Sequence, residues 1–414
     1  MKQVIVVGAG AAGIFAALAA SSRGASVQLF EKNDIVGKKM GITGKGRCNL
    51  TNTAPMTEFI ARTPGHGKFL FSAYRAFSNE DLLRCVHQWG LATKEERGGR
   101  VFPQSDSAIE VRKLLYHQLL KQHVELHLCE GVLDLSRLDT GFIVRTDRGN
   151  YTADACIITT GGLSYPVTGS SGDGFRFARK LSHTVTPLKP SLIPFVTEET
   201  WVKDLAGLSL RNVDVSLWKH GKKLASQFGE MLFTHTGVSG PVILMLSSQA
   251  AHKPKWEFPM QLRINLKPAL TPEMLDARIQ RDFQKYLRKQ AGNGLQDLLP
   301  RHLIPYVLGQ AEIPEQTLIN QITRTQRQDL VTVLQAFSLT LTGTRPIEEA
   351  IVTAGGVSVR EINPGTMESK KIRSLYFAGE VIDIDAFTGG YNLQAAFSTG
   401  YVAGCAAAEE EADE

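Results

Sequence analysis

The sequence predicts an α/β protein in which a Rossmann-like nucleotide-binding domain is split by an inserted domain. Three observations predict it. A β-branched run at 3–7 leads into the glycine turn Gly8-Ala9-Gly10-Ala11-Ala12-Gly13, three prolines crowd residues 187–194, and apolar strand patterns with Gly-rich turns return after residue 345. Composition is compatible: 414 residues, 43% apolar and 21% charged, describe a globular chain of two or three domains, each able to bury its own core. Disorder, collagen and coiled coil are excluded as the main architecture.

Residues 3–7 form a strand, Ile14 to Ser22 a small-residue helix and Ser26 to Glu31 a second strand, the length of one right-handed β-α-β crossover. The same stretch, Val4 to Ala20, is too short and Gly-broken to span a membrane. Ser78, Asn79, Glu80 and Asp81 supply N-cap and first-turn acid chemistry for a helix over Leu82–Trp89 that Gly90 ends, and Ser107 introduces a helix around Ile109–Lys121. Strands are expected at Val124–Cys129, Gly141–Thr146 and Ala155–Thr160. The first domain therefore spans 1–188, the inserted domain 189–345 and the returning part 346–414. Inside the insertion, strand patterns at Leu192–Val196, Val213–Lys219 and Trp256–Leu266 precede a mostly helical stretch from Thr271 to Leu341. The acidic tail Glu409–Glu414 reads as disordered.

Net charge is +5, and the insertion carries all of it: residues 191–345 hold 18 of the 46 basic side chains and 13 of the 41 acidic ones. Arg278, Arg281, Lys285, Arg288 and Lys289, with Arg324 and Arg327 further on, fall near helical spacing. They form either a basic face or an ordinary solvated helix surface. The five cysteines, Cys48, Cys85, Cys129, Cys156 and Cys405, are scattered without a C-x-x-C pair, so a reducing cytoplasm is expected and neither a disulfide framework nor a zinc site. His117, His123 and His127 straddle a helix end and give no metal-binding pattern. No export signal is expected, since strand-like sequence begins at once.

The glycine turn follows a strand, opens a helix and precedes Glu31 at the end of the next strand, which is the full dinucleotide fingerprint. Gly8 makes the tight turn, Gly10 lets backbone approach a pyrophosphate, and Gly13 lets helix and strand pack closely. N–H groups at the helix start, Ala11 and Ala12 among them, receive the anion. Glu31, with Lys32 beside it, accepts ribose hydroxyls and disfavours a 2′-phosphate, leaving FAD or NAD. The donor-rich loop from Lys38 and Lys39 through Thr43, Gly44, Arg47, Cys48 and Asn49 favours FAD, which has a ribitol chain and a second phosphate to hold. At the other end, the strand Ser374–Ala378 runs into Gly379-Glu380. Asp383 and Asp385 follow, and Gly389-Gly390-Tyr391-Asn392-Leu393 opens a helix whose N-terminus can stabilise a reduced flavin. The two ends make one site. No second G-x-G-x-x-G follows a strand, so NAD(P)H, if it is the electron donor, binds transiently.

Six motifs in this order, GAGAAG, TGKGRCNLTN, TTGGLSYPVTGSSGDG, LFTHTGVSGP, TAGGVS and YFAGEVIDIDAFTGGYNLQAAFSTG, resemble from end to end the bacterial BaiN-like flavoproteins, also described as the aminoacetone-oxidase type. The resemblance implies a glutathione-reductase-like FAD domain interrupted by a small β-barrel with a helical part. It implies FAD contacts at Gly8, Gly10, Gly13, Glu31, Thr43, Gly44, Arg47, Asn49, Thr160, Gly161, Gly379, Glu380, Gly390, Asn392 and Leu393, with Val132 a candidate adenine contact. Glu380 stands where many other such flavoproteins carry Asp, and Lys45 where glycine is expected. Cys48, His235 and Tyr391 are candidate proton-transfer groups, each with a structural role as the alternative, and Asp385 is a candidate pocket carboxylate. The resemblance offers three substrate classes: uridine in 23S ribosomal RNA, reduced to dihydrouridine; C=C bonds of steroid-like enones; and aminoacetone-like amines. Reduction of the RNA by NAD(P)H leads, because the insertion carries the positive charge. A small-molecule oxidase or reductase and a non-catalytic flavin sensor are the alternatives.

Overall fold

The computed structural model describes residues 1–253 and 255–409. Glu410 to Glu414, most of the stretch expected to be disordered, lie outside the described residues. Contacts divide the chain into two compact units, residues 1–191 with 346–414 and residues 192–345. Lys189–Ser191, expected to open the insertion, instead pairs antiparallel with Val352–Ala354 inside the first unit.

The first, nucleotide unit centres on a five-stranded parallel sheet ordered Leu375–Phe377, Ala155–Ile158, β1 (Gln3–Val7), β2 (Ser26–Glu31), Glu125–Leu128. Val4 to Val7 and Ala155 to Ile158 are buried throughout, which is why these strands read as unbroken apolar runs: a parallel sheet is covered on both faces. Helix α1 (Ala11–Ser21) lies against the last helix, Tyr391–Ala408. A Cβ at Gly400 or Gly404 would stand 2.1 Å from the backbone oxygen of Ala12 or Ala16, so only glycine allows this approach. The Val4–Ala20 run is therefore β1, the glycine turn and most of α1, and no helix among the described residues is long and apolar enough to cross a membrane. The helix after Ser78 spans Asn79–Gln88 and opens with a capping box, Asp81 N–H donating to Ser78 Oγ (3.2 Å) and Ser78 N–H to the Asp81 carboxylate (2.9 Å).

The inserted unit is a closed barrel of six strands, ordered Phe195–Thr197, Gly237–Ser239, Lys222–Thr234, Ser209–Lys219, Met260–Asn265, Phe337–Thr344, with antiparallel neighbours. Val215, Leu217, Leu262, Ile264, Phe337, Leu339 and Leu341 fill its interior. Helices Pro272–Lys285 and Arg324–Gln335 pack with it, each opened by a threonine cap. Three strands were not expected, the short Gly237–Ser239 among them. Phe337–Thr344 ends the stretch expected to be helical, because strict alternation of Phe337, Leu339 and Leu341 with polar residues fits a barrel wall. Lys222–Thr234 has few buried side chains and is a strand because the long neighbour Ser209–Lys219 pairs with it.

Candidate functional site

An open cavity runs through the nucleotide unit at the carboxyl ends of β1 and β2, with about 1430 Å³ of space free of protein atoms counted out to its mouth. Its lining runs from Glu130 and Val132 past the glycine turn to Asn392 and Leu393 at the last helix, which suits an extended ligand. The glycine turn builds one wall. Gly8 has φ +101°, and a Cβ there would meet Thr159 O at 2.8 Å; a Cβ on Gly13 would stand 1.8 Å from Gly8 O. Thr159 Oγ1 donates to Gly8 O (2.7 Å) and completes this lock. Gly10 differs: a Cβ there would meet nothing within 4 Å, so its side faces open space. The first turn of α1 carries no acidic residue and no side-chain cap, which leaves N–H groups at the cavity for an anion.

Glu31 lines the cavity with its carboxylate held by Ala9 N–H (2.9 Å) and by Asn33 through N–H (2.9 Å) and Nδ2 (2.6 Å). Lys32 lines it too, tied to Ser171 and to Asp173 (2.6 Å). Burial alone would raise the Asp173 carboxyl, but hydrogen bonds from Lys32 and Ser171 and the charges of Lys32 and Arg176 outweigh it and hold the group below its usual range. Next to Val132, Glu130 is almost fully buried and accepts from Thr146 Oγ1 (2.6 Å). Burial there is likewise outweighed, by hydrogen bonds from Thr146, Tyr151 and His127, so Glu130 also titrates low. His127 stacks on Phe30 at 4.3 Å, and among the described residues no three His, Cys, Asp or Glu side chains gather as a metal site.

Ala11, Ala12, Lys39, Thr43, Thr160, Gly161, Gly379, Glu380, Asn392 and Leu393 also line the cavity. The Glu380 carboxylate is engaged by Lys39 Nζ (2.7 Å), Ser164 Oγ (2.9 Å) and Thr353 N–H (2.9 Å). Asn392 spends its side chain on the preceding loop, donating to Ala386 O (2.6 Å) and accepting from Ala386 N–H (2.8 Å). Thr160 Oγ1 is buried without a hydrogen-bond partner. An orphaned hydroxyl, an unhindered Gly10 and an uncapped helix start, with Glu31 bonded to the glycine turn at Ala9, fit a bound dinucleotide such as FAD.

Several expected residues support the cavity without lining it. Arg47 pairs with Glu96 (2.7 Å) and Asp106 (3.3 Å) and lies over the Phe102 ring at 4.0 Å, clamping the loop. Gly44 and Lys45 take left-handed φ of 57° and 60° within that loop. Asn49, with its amide oxygen on Gly390 N–H (3.0 Å) and its nitrogen on Thr51 O (3.1 Å), ties the loop to the start of the last helix. Gly390 is required there, since a Cβ would stand 2.3 Å from Thr51 O. Cys48 is fully buried away from the cavity wall, and burial pushes its thiol up to about 12, against a smaller opposing hydrogen bond with Thr43. Tyr391 is buried with its ring edge-on to Phe59 at 4.9 Å, and burial raises its phenol as well. Neither group is placed as the proton donor that their sequence positions suggested. His235 lies in the inserted unit, exposed in the turn between Thr234 and Gly237.

Asp385 does line the cavity, nearly buried, and its Oδ2 accepts from Ser191 Oγ at 2.6 Å. Beside it, His66 Nε2 meets Asp383 Oδ2 at 3.4 Å, and Phe387 N–H donates to Arg62 O (2.8 Å), docking the 62–66 loop on the 383–387 loop. Thr63 and Leu70 reach the cavity from that side. No motif marks His66, Thr63 or Leu70, which are brought in by packing alone.

A profile of the HI0933-like protein Rossmann domain matches residues 2–406. The 3-dehydro-bile acid delta(4,6)-reductase of Clostridium scindens is 33% identical over 99% of this chain and 100% of its own length. The ribosomal RNA dihydrouridine synthases of Escherichia coli and Haemophilus influenzae are each 30% identical, covering 96% and 97% of this chain and the same shares of their own. Among solved structures, the 3-ketosteroid delta1-dehydrogenase of Sterolibacterium denitrificans aligns with a TM-score of 0.52 at 14% identity, over 99% of this chain and 100% of that one. The 3-ketosteroid-delta4-(5alpha)-dehydrogenase of Rhodococcus jostii aligns at 0.51 and 14%, over 99% and 97%; these two likenesses concern the fold alone. With a Rossmann-like FAD-binding fold and relatives matched along their whole length, the chain belongs to the HI0933-like family.

Proposed function

We propose that this FAD-dependent oxidoreductase reduces a C=C bond with electrons from NAD(P)H, and that its substrate is a uridine of 23S ribosomal RNA in the cytoplasm. One observation carries the reaction class: the relatives matched over their whole length are named for a delta(4,6)-reductase and for dihydrouridine synthesis, both of which add two hydrogens across a C=C bond. Bound FAD supplies two-electron hydride chemistry. Around it, the N–H groups at the start of α1 hold a pyrophosphate, Glu31 receives ribose hydroxyls, and Glu380 with Lys39 orders the wall nearest the last helix. The second carbon needs a proton, and Asp385 Oδ2, bridged to Ser191, is the cavity carboxyl we assign to deliver it. The excess charge of the inserted unit supports the RNA substrate.

A steroid-like enone is the second reading. Ile42, Val167 and Ile351 are 47%, 78% and 37% exposed, beside or among the residues lining the cavity, and an apolar rim suits such a molecule. An anaerobic experiment separates the readings. NADH, NADPH and aminoacetone are added separately to the FAD-loaded protein, and dihydrouridine is measured in 23S ribosomal RNA from a deletion strain. We expect bleaching by a nicotinamide and loss of one dihydrouridine. Asp385→Asn should keep bleaching and lose product formation by about 100-fold or more. Bleaching by aminoacetone alone would overturn the reductase, unchanged RNA the substrate, and no bleaching at all would leave a flavin sensor.

A further inference from the structure

Of the seven basic residues that the sequence places near helical spacing in the inserted unit, three are neutralised by ion pairs. Arg278 pairs with Asp282 (2.9 Å), Lys285 with Asp297 (2.6 Å) and Arg327 with Asp276 (2.6 Å). A separate cluster of positive charge stands at the tip of the barrel hairpin formed by Ser209–Lys219 and Lys222–Thr234. The two-residue turn His220-Gly221, at φ of 50° and 73°, sets Lys219 opposite Lys222 and Trp218 opposite Lys223. On the other side, Trp218 faces Gln261, and the Arg263 guanidinium lies over the Trp218 ring at 4.3 Å. Directly paired residues share a face, so Lys223, Trp218 and Gln261 form one row, and Arg263, two residues from Gln261 on the same strand, shares that face and reaches diagonally over Trp218. Lys219 Nζ donates to Glu257 O, which brings in the segment bearing exposed Lys253 and Lys255. Glu257 is the acidic residue of this cluster, and among the described residues none of Lys222, Lys223, Lys253 and Lys255 makes an ion pair.

We infer that this hairpin tip grips the phosphate backbone of RNA, an inference that rests on the RNA reading proposed above. Lysines along a two-stranded ribbon, backed by an arginine stacked on tryptophan, match a line of phosphates. Phosphate contacts position a nucleic acid without reading its sequence, which suits a surface remote in the chain from the cavity residues. A lipid surface fits less well. The exposed large apolar side chains of the inserted unit, Phe228, Met274 and Leu287, lie outside the tip, so nothing there inserts into a bilayer.

The test uses full-length FAD-loaded protein and fluorescent 23S ribosomal RNA transcript in an anisotropy titration over a KCl series. Lys222→Glu/Lys223→Glu should weaken binding by about tenfold or more and flatten the log-log salt slope by about two. Lys222→Gln/Lys223→Gln should act in the same direction, while Arg288→Glu/Lys289→Glu, an equal charge change elsewhere, should do much less. FAD content and Tm serve as folding controls. Equal affinities for wild type and both hairpin variants, or binding to phosphatidylglycerol vesicles without binding to RNA, would overturn the inference. The two readings fail separately. A deletion strain whose dihydrouridine is restored fully by the hairpin variants would sink the grip and keep the enzyme; hairpin-dependent RNA binding without any dihydrouridine change would do the reverse.

Discussion

Gly10 and Gly13 stand three residues apart in one turn, yet their replacement should have opposite effects. Gly10 has ordinary φ and ψ and open space where a Cβ would go, so Gly10→Ala should fold with stability within about 0.5 kcal/mol of wild type. Its methyl group would occupy the room a pyrophosphate needs, so FAD should wash out on desalting. Gly13→Ala drives a Cβ to 1.8 Å from Gly8 O and should cost about 3 kcal/mol or more. Urea unfolding of the apoproteins and retained flavin fluorescence check both, and a Gly10→Ala protein that keeps its flavin would place the pyrophosphate elsewhere. His66 gives a pH prediction. Its hydrogen bond with Asp383 raises its pKa above 6.5, aided by the charges of Asp383 and Asp385 and opposed by burial and by Arg360. A raised pKa means the pair stabilises the fold fully below pH about 6.5 and loses that contribution as pH rises through the folded value. The His66 side chain is 42% exposed, so solvent screening keeps the increment under about 1 kcal/mol, and His66→Asn should flatten the urea midpoint across this window. The glycine turn was legible because Gly8 and Gly13 have local backbone reasons and the space at Gly10 fits the bound anion the fingerprint implies. Cys48 and Tyr391 misled because adjacency to a cofactor loop says nothing about which way a side chain is buried.

At the level of elements, the close approach of α1 and the last helix couples two parts of the cavity. Gly404→Ala puts a Cβ 2.1 Å from Ala16 O, so it should part the helices, lower Tm by several degrees and weaken FAD together. Thr323→Ala removes the capping box of Arg324–Gln335 and should cost about 1 kcal/mol in the inserted unit alone, leaving FAD binding intact. Hydrogen exchange resolved by unit distinguishes the two; coincident loss of protection in both units for Thr323→Ala would contradict their independence. Elements with one dominant local signal were legible: β1, α1, β2 and the Ser78-capped helix. Phe337–Thr344 was not, because a preceding helix and the lack of turn residues masked its alternation until barrel closure gave it partners. Lys222–Thr234 has apolar residues without a sustained alternation and is interrupted by Gly229, so it does not announce a strand, and its hairpin partner supplies the pairing.

For the molecule as a whole, the two ends of the sequence were legible as one site because each carries its own glycine signature, whereas the contributions of Thr63, Leu70 and Glu130 depend on packing that no local pattern encodes. The nucleotide unit is also discontinuous, and this has a consequence for how the protein is made. The edge strand Leu375–Phe377 and the helix that covers α1 come from residues after 346, behind the entire barrel. A ribosome that has delivered residues 1–191 has exposed β1, β2 and α1 without the partner whose glycines fit against Ala12 and Ala16. The barrel, continuous in sequence, can form while that half-built sheet waits. Flavin capture is therefore a late event in biogenesis, and nascent chains stalled before residue 375 should hold a protease-resistant barrel but no flavin.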